Sequence, residues 1–184
     1  MSPRDEQRER VIGALTGHLL RTGLSQSSLR QLAAAAEVSD RMLLYYFVDK
    51  AEVLAQVMAR LAASMSERLD AAIPEDARLS AAALTARAAR IVIEPDFMPY
   101  MRLWLEVVAA AGRGEPPFTL ISAEVMQGFL QWIEQRLRPL DGHSASGQAA
   151  GILALVDGLV LVEIGAGHEA ALRAVEVLEA LARD

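Results

Sequence analysis

Residues 28–50 read SLRQLAAAAEVSDRMLLYYFVDK. Ser28 stands three residues before Gln31, a spacing that predicts a helix start because each side chain can satisfy a free backbone amide near the other. The helical pattern breaks after about one and a half turns, and Ser39 can cap a second short helix that ends by Tyr46. The stretch therefore predicts two short helices joined by a tight turn.

A longer helix is predicted on each side of this pair. Ser2 as a cap and a helical repeat of apolar residues predict a helix from about Arg4 to Thr22. Asp49 and Glu52 repeat the capping-box spacing and open a long helix that reaches about residue 72. One long, two short and one long helix are typical of a helix-turn-helix module, whose second short helix can enter the major groove of DNA.

The rest of the chain also predicts helices. None of the seven prolines lies between Pro3 and Pro74, and alternating β-branched runs are nearly absent. Alanine, leucine and arginine, which favour helices, dominate instead, so the predicted fold class is all-α. Further helices are expected at about 78–93, 97–111, 119–138, 145–165 and 169–182.

Composition narrows the class of protein. The 184 residues carry a formal net charge of -6, and the eight basic and seven acidic residues of 1–60 leave that part near neutral. A sequence-blind polycation is therefore excluded, and any contact with nucleic acid must depend on individually placed residues. The absence of cysteine excludes disulfides and thiolate metal sites and suits the reducing cytoplasm.

Membrane and enzyme functions find no support in the sequence. We find no uninterrupted apolar run of about 18 residues and no signal-peptide pattern, so a cytoplasmic protein without a membrane span is expected. His18, His143 and His168 lack metal-ligand spacing, and neither a phosphate-binding glycine loop nor a nucleophile elbow occurs. No enzymatic activity, metal or cofactor is expected.

A more specific pattern lies within residues 8–56. Gly23 through Leu54 contains, in order, Ser28, Leu32-Ala33, Ala36-Glu37-Val38-Ser39, Leu43, Tyr45-Tyr46-Phe47, Lys50 and Val53-Leu54. This string resembles the TetR family of bacterial transcriptional regulators, whose signature ends in an aromatic-rich recognition helix followed by Phe-x-x-Lys. Two positions depart from that pattern: Glu37 replaces the usual turn glycine, and Leu44 replaces a tyrosine. A left-handed Glu37 would cost about 1 kcal/mol.

The candidate DNA-binding residues are Ser28, Ser39, Asp40, Arg41, Met42, Tyr45, Tyr46 and Lys50. Arg41 can bind guanine O6 and N7, and Asp40 can accept from cytosine N4, although both could instead be solvated first-turn residues. Ser28 either contacts a phosphate or only caps its helix. The resemblance implies a phosphate contact for Lys50, whose alternative is a solvated side chain. Leu44 has no hydroxyl, so Tyr45 or Tyr46 would have to donate to a phosphate.

Val38, Leu43 and Phe47 are expected to form the small core that holds the two short helices together. The resemblance implies that 1–50 is the DNA-binding domain, that a helix of about 50–72 links it onward, and that 75–184 binds an effector and dimerises. The homodimer would form through the last two helices, about 145–182. Gly151, Ala154, Gly158 and Gly165 would permit close helix approach there, with packing inside one chain as the alternative.

Candidate effector-binding residues are Phe97, Met101, Trp104, Met126, Phe129, Trp132 and Asp157. Aromatic and methionine side chains can line an apolar pocket, but at helical spacing they also form ordinary core. Asp157 and Glu163 need partners in an otherwise apolar helix, and an effector, an arginine such as Arg102 and the dimer seam all remain open.

The resemblance implies a ligand-responsive transcriptional regulator that binds a palindromic double-stranded operator as a homodimer. On family grounds repression is favoured over activation, although the residues themselves do not decide this. An unidentified small-molecule effector would shift the population of the DNA-fitting state. The alternative is an all-α dimeric small-molecule-binding protein that has lost specific DNA recognition, as Glu37, Leu44 and the weak charge of 1–60 would allow.

Overall fold

The computed structural model describes residues 2–183, which form nine α-helices and two short 3-10 turns without a β-strand. The helices are α1 Pro3–Thr22, α2 Leu29–Ala35, α3 Asp40–Tyr46, α4 Lys50–Ala72, α5 Ala81–Val92, α6 Met98–Gly112, α7 Phe118–Arg136, α8 Ala145–Ala166 and α9 His168–Leu181. The predicted all-α class and helix order are confirmed.

Serine caps begin many of these helices. Ser2, Ser28, Ser39, Ser80 and Ser144 each accept a hydrogen bond from the backbone N–H three residues later. Helix α5 begins at Ala81 rather than near the predicted residue 78. A 3-10 turn occupies Glu75–Ala77, and Ser80 then caps α5. At α1, the Ser2 hydroxyl and N–H bind the Asp5 carboxylate and lower the pKa of that carboxyl.

The described chain divides into two compact units. The first runs through Ser64 and includes Arg102–Val125, and the second combines Met65–Met101 with the chain from Met126 onward. Helices α4, α6 and α7 each contribute to both units. The division into a domain of 1–50 and a domain of 75–184 stays a prediction.

The first unit contains the two short predicted helices and the core beneath them. Buried residues of α1 and α2, including Leu15, Leu19 and Leu32, lie in this core, together with Leu43 of α3 and Phe47 just after it. Val38, the third residue expected in the small core, is half-buried. Burying one face of α3 leaves the opposite face in solvent.

In the second unit, α5, α8 and α9 pack against one another. Arg90 of α5 donates two hydrogen bonds, of 3.0 and 2.7 Å, to one carboxylate oxygen of Glu179 on α9. Buried apolar residues on all three helices fill the space between them: Leu84, Ala89, Val92, Ile152, Val156, Leu159, Val160, Ala171 and Val175.

Helix α8 is apolar on most sides. By length and composition it is the one described helix that could cross a membrane, and 28% of its most apolar 18-residue window is buried within the chain. The sequence prediction counted uninterrupted apolar runs, and Asp157 and Glu163 interrupt this one. Both carboxylate residues are half-buried.

Candidate nucleic-acid interface

The turn between α2 and α3 is a Schellman motif built around Glu37. The Glu37 N–H donates to the Ala34 carbonyl at 3.1 Å, and the Val38 N–H donates to the Ala33 carbonyl at 3.0 Å. Glu37 has a φ of 56°, so it adopts the left-handed conformation whose cost the sequence raised as a possibility. The carbonyls at the end of α2 are thereby satisfied, and the chain reverses tightly into α3.

Both short helices begin at the predicted serines. Ser28 and Gln31 form the predicted reciprocal capping box, with the Ser28 N–H donating to Gln31 Oε1 at 3.0 Å. Ser39 Oγ accepts from the Met42 N–H at 3.1 Å. Both serines are exposed. Capping is therefore present at both positions, while contact of either hydroxyl with a phosphate stays a prediction.

The exposed face of α3 carries most of the candidate DNA-binding residues. Opposite the fully buried Leu43, the structure exposes Arg41 and Tyr45, which lie one helical turn apart. Asp40 and Met42 are also exposed on this helix, and Tyr46 is half-buried with its ring in edge contact with that of Tyr45. Tyr45 is thus the more accessible of the two tyrosines considered for a phosphate contact.

Two arginines of α1 brace this helix, and sequence reasoning missed both. Arg4 donates to the Tyr45 carbonyl at 3.1 Å, and its guanidinium lies 4.8 Å from the Tyr45 ring centre. Arg8 lies 4.8 Å from the Phe47 ring centre and 3.6 Å from the Glu52 carboxylate. No local spacing signals contacts between residues so far apart in the chain.

Lys50 is the first residue of α4 and the only lysine in the chain, and its side chain is exposed. The Asp49 carboxylate accepts from the Glu52 N–H at 2.8 Å, as the capping-box spacing predicted. The Glu52 carboxylate, however, accepts from the Val48 N–H at 2.6 Å, one residue earlier than a reciprocal box requires. These bonds fix the turn that presents Lys50 next to the end of α3.

The turn that leads into the module is held by a residue of α6. The Leu24 N–H donates to Glu106 Oε2 at 2.7 Å. A Cβ at Gly23, where φ is 66°, would lie 2.3 Å from Glu106 Oε1, so the carboxylate can approach only because this residue is glycine. Gly23 therefore has a second role besides ending α1.

The candidate effector-binding residues differ in their surroundings. In the second unit, Phe97, Met101 and Trp132 are buried, whereas Met126, Phe129 and Asp157 are half-buried. Trp104 is half-buried and belongs to the first unit. The polar edge of Trp132 is engaged inside the protein, since its indole N–H donates to Asp70 Oδ1 at 2.7 Å. A ligand role for each of these seven residues stays a prediction.

A buried arginine that the sequence did not reveal lies beside Trp132. Arg136 is 4% exposed and donates to Asp70 Oδ1 at 2.6 Å, to the Ile73 carbonyl at 2.8 Å and to the Trp132 carbonyl at 3.2 Å. Its guanidinium also lies 4.2 Å from the Trp132 ring centre. This cluster joins the end of α7 to the end of α4.

Glu163 has a partner that the sequence reading did not consider. Both of its carboxylate oxygens lie 3.1 Å from His168 Nδ1, across the predicted turn between α8 and α9. The three alternatives considered for Glu163 did not include this histidine. Asp157 also makes an interaction within the protein.

The small residues of α8 lie on a largely exposed surface. A Cβ added at Gly151, Gly158 or Gly165 would meet no atom within 4 Å, so packing inside one chain does not require these glycines. Large apolar side chains are exposed around them and on α9: Leu155, Leu161, Val162, Ile164, Val177 and Leu181. We call these exposed residues and glycines the α8–α9 apolar surface.

Solved transcriptional regulators share the fold of this chain. The chain is similar to a TetR-family transcriptional regulator from Rhodococcus sp., with a TM-score of 0.76, 18% identity and coverage of 97% of this chain and 100% of the other. It is also similar to a transcriptional regulator from Rhodococcus sp. Rha1, with a TM-score of 0.74, 22% identity and 95% of each chain covered. The chain has a TetR-like fold.

A third structural neighbour was solved with a small molecule. It is a transcriptional regulator from Saccharomonospora viridis in complex with choline, with a TM-score of 0.71, 18% identity and coverage of 95% of this chain and 94% of the other. No protein-family model matches the sequence, and no curated protein matches it. At these identities the similarity establishes the TetR-like fold alone.

Proposed function

We propose that this chain is a ligand-responsive transcriptional regulator that binds a palindromic DNA operator as a homodimer. The observation that carries the proposal is the exposed face of α3, which presents Arg41 and Tyr45 opposite a buried core residue, with Lys50 next to its end. A short, firmly capped helix with one free face suits insertion into the major groove.

The charges of this face suit a division of roles. Arg41 would read guanine through two parallel hydrogen bonds, while Lys50 and the Tyr45 hydroxyl would bind phosphates and fix the register. Asp40 on the same face would accept from a cytosine amino group. Because 1–60 carries eight basic and seven acidic residues, attraction to DNA of any sequence would be weak, and specificity would rest on these few contacts.

A second copy of the chain would supply the affinity that one small module lacks. The α8–α9 apolar surface supports this part of the proposal, because exposed leucines and valines beside glycines without neighbours suit close packing against a partner helix. The same use accounts for an apolar α8 that is largely uncovered within one chain. A cytoplasmic location is part of the proposal, because a dimer would cover the apolar face of α8 and because the proposed partner is DNA.

An effector would act through the second unit. Phe97, Met101 and Trp132 supply apolar surface there, with Met126, Phe129 and Asp157 more accessible. The choline-bound neighbour supports a small-molecule site in a chain of this fold. Binding would favour one of two dimer populations that differ in their fit to DNA, and occlusion of a promoter would make the protein a repressor. No enzymatic role is proposed.

The test is selection of bound duplexes from a random DNA library at about physiological salt, with the molar mass of the protein measured in the same sample. Support would be a palindromic motif with half-sites about one helical turn apart and the mass of a dimer. A folded dimer that enriches no motif would contradict the proposal and favour the small-molecule-binding alternative. A monomer that enriches a single half-site would contradict the homodimer alone.

A further inference from the structure

We infer that Leu44 reads the methyl group of a thymine in the major groove, next to the guanine that Arg41 would bind. The inference rests on the proposed function and adds one base and one reading residue to it. The candidate DNA-binding residues otherwise all carry polar groups or, in Met42, a flexible thioether. Leu44 offers only a branched hydrocarbon.

Leu44 keeps much of its apolar surface in solvent. It is 44% exposed, whereas its neighbour Leu43, of the same size and on the same helix, is fully buried. A single exposed leucine is ordinary on a protein surface. Here, however, Met42 and Tyr45 are also exposed on the same seven-residue helix, at 40% and 57%. All three side chains therefore bring apolar surface to the helix that is proposed to meet DNA.

The helical position of Leu44 places it beside the candidate base-reading side chains. It lies three residues after Arg41 and four after Asp40, and residues at these separations are neighbours on a helix surface. Met42 lies on the opposite edge of the exposed face, since residues two apart point in different directions. Leu44 is therefore the apolar side chain that continues the Asp40 and Arg41 edge.

Tyr45 is less suited to an apolar contact with a base. The guanidinium of Arg4 lies 4.8 Å from the centre of its ring and so occupies one ring face. Its hydroxyl gives it a polar role that Leu44 cannot have. Tyr45 would therefore make a polar contact with DNA, and Leu44 would make an apolar contact with a base.

The chemistry of the major groove identifies the partner. Donors and acceptors of the bases line this groove, and the C5-methyl group of thymine is the apolar group among them. A leucine set against a donor or acceptor would remove it from water without replacing its hydrogen bond, which is unfavourable. A leucine set against a methyl group buries apolar surface on both sides.

Helix geometry also limits the distance between the two bases. Three residues of α-helix rise about 4.5 Å, and successive base pairs are about 3.4 Å apart. The thymine should therefore lie within about two base pairs of the guanine in each half-site.

The test removes only the methyl group. The duplex most enriched from the random library is resynthesised with deoxyuridine at each thymine near the guanine, one position at a time, and binding is measured by fluorescence anisotropy. We expect one replacement in each half-site to weaken binding of the unchanged protein by about threefold to fivefold per methyl group. Leu44→Ala should bind the thymine and uracil duplexes equally, and Arg41→Ala should keep the preference for thymine.

Leu120→Ala is the matched control, since Leu120 is 71% exposed on α7, outside the short helices. It should keep the full difference between the two duplexes. Equal binding of both duplexes by the unchanged protein overturns the inference while the enriched motif upholds the proposed function, and it would favour a protein partner for Leu44. A library that yields no motif overturns both. A thymine preference that survives in Leu44→Ala would assign the contact to another residue.

Discussion

Glu37 adopts a backbone conformation that favours glycine. The Schellman turn needs a left-handed residue after α2, and this chain places a glutamate there with a φ of 56°. Glycine adopts that conformation without the clash that a Cβ introduces. The two hydrogen bonds of the turn hold Glu37 in place despite this cost.

We therefore expect Glu37→Gly to raise the free energy of unfolding by up to about 0.5 kcal/mol, the left-handed penalty of about 1 kcal/mol less the roughly 0.5–1 kcal/mol of entropy that glycine loses on folding. Urea denaturation measures the change. Glu37→Ala is the matched control and should give no such gain, because alanine keeps the Cβ. A glycine variant that is less stable than the unchanged protein would show that the Glu37 side chain contributes more than its backbone costs.

Arg41 and Lys50 should lose different properties when truncated. Arg41→Ala should bind its selected duplex more weakly by about 1–3 kcal/mol and lose the preference for guanine, because a base contact is removed. Lys50→Ala should weaken binding to all duplexes alike and lower the salt slope by about one, because a phosphate contact is removed. Salt titrations on the selected and a scrambled duplex separate these effects.

Arg87→Ala on α5 is the control, because it changes an exposed arginine outside the short helices. It should alter neither the preference for guanine nor the salt slope. Equal losses on both duplexes for Arg41→Ala would refute this division of roles.

At the scale of elements, local patterns predicted much and long-range contacts little. The caps at Ser2, Ser28 and Ser39 could be predicted because their partners lie three residues away. Arg136 reaches Asp70 across 66 residues, and Glu106 reaches Leu24 across 82. Contacts of this kind depend on how helices pack, so neither residue type nor spacing marked these side chains.

The Arg136 cluster predicts that Asp70 contributes more to stability than a carboxylate on the same helix outside the cluster. Arg136 has a side chain only 5% exposed, whereas that of Asp70 is 50% exposed. Asp70→Ala leaves a buried cation without its carboxylate and the Trp132 indole N–H without its acceptor, and it should lower the free energy of unfolding by about 2–3 kcal/mol. Glu67→Ala, which removes an exposed carboxylate from the same helix, should change it by less than about 0.5 kcal/mol. Equal losses in urea denaturation would mean that the bond to Asp70 adds nothing to the two carbonyl contacts of Arg136.

At the scale of the whole molecule, the α8–α9 apolar surface is the feature that bears on the proposed dimer. The sequence predicted an apolar α8, but only the structure separates its buried residues from exposed ones such as Leu161. The candidate effector residues also show that residue type does not predict burial, since Phe97 is buried and Phe129 is half-buried. Burial follows from packing partners that a single sequence does not reveal.

Leu161→Glu should dissociate the proposed dimer, because it places a charge on an apolar surface that would be desolvated by the partner. Leu161 is 58% exposed, so the variant should still fold. Multi-angle light scattering should give a monomer at concentrations where the unchanged protein is a dimer. Leu120→Glu makes the same change at the exposed leucine of α7 and should leave the mass unaltered. A Leu161→Glu dimer of normal affinity would move the interface elsewhere.

Lys50 is the only lysine among the 18 basic residues of the chain, so amine-directed reagents can modify one side chain alone. Arginine does not react with mild acylating reagents as lysine does, so the only side-chain amine is the exposed one at the start of α4. Acetylation of side-chain amines would thus give one product rather than a mixture, with its single lost charge beside α3. The same amine can carry a fluorophore or a crosslinker at a known place, without introducing any substitution.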